Sequence, residues 1–79
     1  MSEKRIAVRR RVFKAGTIEF GGSAIDCTVK NLSATGAALE VVTPLFIPDR
    51  FVLHIRSDGS KRQCGVVRRT GRRLGVAFD

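Results

Sequence analysis

The chain has no tryptophan and no tyrosine, one histidine, two cysteines and two prolines. Each scarcity removes a class of function. Single-stranded nucleic acid is usually held by stacking bases on aromatic rings. Of the five phenylalanines, Phe20, Phe51 and Phe78 fall on inward positions of alternating segments, leaving Phe13 and Phe46 as platforms. This argues against nucleic acid as the partner. Histidine is the commonest general acid or base, and the lone His54 alternates outward with no nucleophile beside it in sequence. Asp26, Glu40 and Asp49 balance neighbouring bases and form no carboxylate cluster. The chain therefore reads as a binding protein, not an enzyme. Cys27 and Cys64 lie far apart, with neither a CxxC nor a Cys–His pair to suggest a metal. They read as buried free thiols in a cytoplasmic protein. No apolar run approaches the ~20 residues of a membrane span, and the N-terminus lacks a signal-peptide core. The expectation is a cytoplasmic location without membrane insertion.

What the chain does have is positive charge: 15 Lys and Arg against 7 Asp and Glu, a net +8 on 79 residues. Such a field raises the local concentration of anions and speeds their capture, so the partner should be anionic. The bases fall in two groups. Lys4, Arg5, Arg9, Arg10, Arg11 and Lys14 crowd the start; Lys61, Arg62, Arg68, Arg69, Arg72 and Arg73 crowd the end. Ile6, Val8 and Val12 are scattered among the first group without a period. Residues 1–11 therefore read as a flexible basic arm and residues 12–79 as the folded domain.

From Ala15 onward the apolar residues recur at every second position, the mark of half-buried strands. The inward sets are Ile18 and Phe20; Ile25, Cys27 and Val29; Ala37, Leu39 and Val41; Phe51, Leu53 and Ile55; and Leu74, Val76 and Phe78, while the fifth strand has Cys64, Val66 and Arg68 on one face and Gly65, Val67 and Arg69 on the other. Gly21-Gly22-Ser23, Ser57-Asp58-Gly59-Ser60 and Thr70-Gly71 read as turns. Thr43 to Asp49, with Pro44 and Pro48, breaks the ladder because proline lacks a donor. Six short strands without an amphipathic helix predict a six-stranded antiparallel β-barrel. Closure is favoured because an open sheet of this size leaves long unpaired edges.

Between the second and third strands lies Asn31-Leu32-Ser33-Ala34-Thr35-Gly36. Asn31 offers donors and an acceptor, Ser33 a hydroxyl, and Gly36 a geometry or close approach that a side chain forbids. An ordinary strand-to-strand turn uses the same residue types. On the arm, Arg5 and Arg9 are two guanidinium forks that match phosphate oxygens or the acceptor edge of guanine.

Taken together, Arg5-Ile6-Ala7-Val8-Arg9 and Asn31-Leu32-Ser33-Ala34-Thr35-Gly36 resemble the RxxxR and (D/N)xSxxG motifs of the PilZ family. That family consists of bacterial β-barrels that bind the second messenger cyclic di-GMP. The resemblance covers nearly the whole chain, down to the closing Leu74-Gly75-Val76-Ala77-Phe78. It implies that Arg5 and Arg9 clamp the ligand and that Asn31 and Ser33 hydrogen-bond a guanine or phosphate. Gly36 would keep the loop geometry. Arg10 and Arg11 are either helpers or solvated charge, and Lys4 stands where it would influence how many ligand molecules stack. Many members continue into a C-terminal helix, whereas this chain ends at Asp79. The expectation is a bare receptor that reports to an unknown downstream protein effector. A nucleic-acid-binding barrel and a PilZ adaptor that binds no nucleotide are the alternatives. Arg68, Arg69, Arg72 and Arg73 form either a second basic surface or solubilising charge.

Overall fold

The computed structural model of the chain describes residues 10–79. Every regular element among them is a strand: β1 (Arg10–Phe20), β2 (Ser23–Leu32), β3 (Gly36–Glu40), β4 (Arg50–Ile55), β5 (Ser60–Thr70) and β6 (Arg73–Phe78). All pairings are antiparallel, and the strands close in the order β1-β2-β3-β6-β5-β4. Closure gives each strand two neighbours over most of its length, which removes the exposed edges of an open sheet.

The alternation explains the core. Ile18, Val29, Leu39, Leu53, Cys64 and Leu74 are fully buried, with Phe51, Ile55 and Val76 close behind. No charged or polar side chain is buried among the described residues. Each fully buried Leu, Ile or Val stabilises the barrel by roughly 1.5–3 kcal/mol relative to exposure. The two thiols are free and buried. Loss of hydration on burial, aided by the Asp26 carboxylate, pushes the Cys27 thiol from its ordinary value of 9.0 up to about 11.

The departures from the sequence pattern each have a visible reason. β1 begins at Arg10 and not at Ala15, so Arg10 and Arg11, read as arm, are strand residues. They pair with Leu32 and Asn31, and a register shift between Arg11 and Lys14 takes up Val12 and Phe13. An extra residue in one strand breaks the alternation that marks a strand in sequence. β3 stops at Glu40, short of Val41, the last of its expected inward set. Val41 is still buried, while Val42 is 84% exposed. On β5 a second shift between Val66 and Arg68 moves the alternation by one. Arg68, expected to share the face of Cys64 and Val66, lies opposite outward Gly75, and Arg69 takes the register opposite buried Leu74. Arg69 reaches the barrel mouth, where its Nη2 donates to the Ile47 carbonyl at 3.0 Å and to Asp49 Oδ1 at 2.8 Å. Ile47, inside the proline-broken segment, is a core residue that the alternation missed.

Candidate functional site

β2 carries Asn31 and Leu32 to its end, so the connection to β3 is only Ser33-Ala34-Thr35. One side chain shapes it. The Ser33 hydroxyl oxygen accepts the backbone N–H groups of Thr35 and Gly36, each at 3.2 Å. Its own proton has the Gly36 carbonyl at 3.3 Å and Thr35 Oγ1 at 3.4 Å as acceptors. The Ser33 N–H also donates to the Gly36 carbonyl at 2.9 Å, and the Phe78 N–H donates to the Thr35 carbonyl at 2.8 Å. The loop is thus closed on itself and tied to β6. Each such bond contributes about 0.5–1.5 kcal/mol, so a single hydroxyl governs the turn.

Gly36 has a different task. It heads β3 opposite Ala77, and a Cβ built on it would collide with the Val76 carbonyl oxygen of β6. The glycine is required by this backbone approach and not by a left-handed φ, since its φ is not positive. Asn31 is half-buried near the end of β2, beside a register shift between Val29 and Asn31. It pairs with Arg11 on one side and Ala38 on the other, and its side chain enters none of the bonds that shape the loop. Arg10 is exposed and pairs with Leu32, the residue before Ser33. The described start of the chain therefore arrives beside the loop. Nearby, Lys30 Nζ stands 5.0 Å from the centre of the exposed Phe13 ring.

A groove of about 580 Å³ runs over the outer face of β3, β6 and β5. Small residues, Ala38 and Gly75, form its floor, while Val67, Arg68, Thr70 and Arg73 rise around it. This volume is in the range of small-molecule sites, and two guanidinium groups favour an anion. β3, which carries Gly36 at its head, lines one side. The sequence could not place this groove, because Ala38 and Gly75 become neighbours only once the β3–β6 register is known.

A family model described as the PilZ domain matches residues 3–79. The chain belongs to the PilZ family. No curated protein matches it. PilZ domains as a family are cyclic di-GMP receptors and adaptors, not enzymes. The closed six-stranded barrel is the fold expected of this PilZ domain. Of the expected site, Asn31, Ser33, Gly36 and Arg10 meet at one end of β1, β2 and β3. Arg5 and Arg9, with the arm up to residue 9, lie outside the described residues.

His54 Nδ1 lies 3.6 Å from Glu19 Oε2, and Lys61 Nζ is 3.5 Å from the other Glu19 oxygen. Among the described residues no cluster of His, Cys, Asp and Glu would hold a metal. Among the described residues no helix is long and apolar enough to cross a membrane.

Proposed function

We propose that this PilZ domain is a cyclic di-GMP receptor whose ligand is held between Arg5 and Arg9 on one side and the barrel face around Asn31 and Ser33 on the other. The observation that carries the reading is the pairing of Arg10 with Leu32. Arg10 is the residue that directly follows the second motif arginine in the sequence, and it is paired beside the loop. An arginine fork there suits a phosphodiester oxygen or the O6 and N7 edge of a guanine. Arg10, exposed at the head of β1, adds a further positive charge.

The motif residues divide by role. Asn31, whose amide takes no part in the loop's bonds, faces the ligand. Ser33 acts mainly by fixing the loop, since its hydroxyl is already engaged with Thr35 and Gly36. Gly36 keeps β3 against β6. The groove starts at Ala37 and Ala38 near the loop and runs away from it to Arg68 and Arg73 by the β5–β6 hairpin. Binding brings the basic arm against the barrel, and the altered surface is what a downstream protein effector in the cytoplasm reads.

Titration calorimetry with cyclic di-GMP tests the assignment. Arg9→Ala should weaken binding by about tenfold or more, the loss of one charge-assisted contact. Arg72→Ala, at the far hairpin, should leave affinity within about twofold. Equal affinities of the wild type and Arg9→Ala would sink the site. An amide chemical-shift titration locates it independently, with the largest changes expected at Asn31, Ser33 and Thr35.

A further inference from the structure

At the other end of β3, the segment Val41–Asp49 displays apolar side chains. Val42 is 84% exposed, Leu45 65% and Phe46 88%. Phe46 is also the one non-glycine described residue with a positive φ, at 71°. A bulky side chain in that conformation is strained, and such strain persists only where the surroundings enforce it. Here they do. The Ile47 N–H donates to the Pro44 carbonyl at 3.3 Å, and the Leu45 N–H donates to Thr43 Oγ1 at 3.3 Å. Ile47 is buried, and Arg69 holds its carbonyl from β5. The fold fixes a tight turn whose outermost side chains are leucine and phenylalanine.

The surroundings of this tip are basic. The Val41 N–H donates to the Arg72 carbonyl at 2.9 Å and Glu40 pairs with Arg73, so the β5–β6 hairpin lies beside the start of this segment, while Arg69 of β5 reaches its other side at Ile47 and Asp49. The carboxylates at this end are engaged: Asp49 by Arg69, Glu40 by Lys30 and Asp26 by Arg56. Arg68, Arg72 and Arg73 have no ion pair among the described residues.

We propose that the Pro44–Ile47 turn is a docking tip for an anionic lipid surface. Leu45 and Phe46 enter the interfacial layer, and Arg72 and Arg73 meet the headgroup phosphates. Three features favour lipid over protein. The tip is a short turn bearing few side chains, far below the ~800 Å² per partner of a stable protein interface. The backbone donors of Leu45 and Ile47 are satisfied internally, which lowers the cost of leaving water. A second copy of the chain would bring like arginines together. The tip touches the interface only, which needs no membrane-spanning element. It is separate from the loop at Ser33, and its docking does not depend on the ligand reading.

Co-sedimentation with vesicles decides the matter, using phosphatidylcholine alone or with about a quarter phosphatidylglycerol at about 0.1 M salt. The wild type should bind the anionic vesicles and not the neutral ones. A Leu45→Ser/Phe46→Ser variant should bind about tenfold more weakly or worse, and Arg72→Glu should weaken binding severalfold. Phe46→Gly should also lose binding without a fall in melting temperature, because relief of the positive φ offsets the extra freedom glycine gives the unfolded chain. That pairing separates a lost contact from a damaged fold. Absence of wild-type binding to anionic vesicles overturns the proposal and leaves the tip to an acidic protein surface. Equal binding by the wild type and the double serine variant overturns it too, because arginines alone would then account for the attraction.

Discussion

The two connections at the ends of β3 solve opposite problems. Ser33-Ala34-Thr35 is short and polar, and one hydroxyl closes it. Val41–Asp49 is long and apolar at its tip, and is held by a buried Ile47 and an arginine from another strand. In the first, the residues that make up the motif satisfy the loop itself. In the second, the fold enforces a conformation that Phe46 disfavours and gains no buried area from it. The contrast separates two kinds of evidence for function. A residue that the fold already explains, such as Ser33 or Gly36, reports on the ligand only through the geometry it maintains. A residue that the fold tolerates at a cost, such as Phe46, calls for an external reason.

The sharpest way to break the contrast is Gly36→Ala. Its methyl would drive the β3 backbone away from Val76, and overpacking against backbone should cost about 3 kcal/mol or more. Urea unfolding measures this, and a neutral outcome would mean that β6 yields easily at that point. Ser33→Ala comes next. Removing the hydroxyl leaves the Thr35 and Gly36 amides without their acceptor, for an expected loss of about 1–2 kcal/mol. Ligand affinity should fall with it, and Ser33→Thr, which keeps the oxygen, should restore most of both. Smallest is Arg69→Met. The ion pair with the exposed Asp49 contributes little in solvent. The lost bond to the Ile47 carbonyl should still cost about 1 kcal/mol. Hydrogen exchange should then speed up at Ile47 while leaving the Gly36 amide unchanged. If both amides respond equally, the two ends are not independent.

Much of the barrel was legible because a half-buried strand writes its inner face at every second residue, as Leu39 and Leu53 do. The departures sit where an extra residue interrupts that rhythm. The shift after Arg11 hid the start of β1, and the shift before Arg68 exchanged the roles of two arginines. Ile47 escaped because proline on both sides reads as loop regardless of burial. At the candidate site, Asn31, Ser33 and Gly36 were visible as a spacing, but the division of their labour was not. That division rests on where a hydroxyl proton and a carbonyl oxygen lie in space. The groove between Ala38 and Gly75 joins residues far apart in the chain and needed the strand register.

The two buried cysteines give this barrel a built-in clock. Cys27 and Cys64 come from different parts of the closed sheet, and both thiols are held protonated by burial. A water-borne disulfide reagent needs a thiolate and a path to it, so it modifies fully buried Cys64 when strands separate, with 7%-exposed Cys27 as the more accessible reference. The rate of labelling at saturating reagent is then the rate of barrel opening. Read with and without cyclic di-GMP, and separately at each cysteine, it tells whether a ligand seated at one end of β3 slows the breathing of the whole cylinder or of only one side.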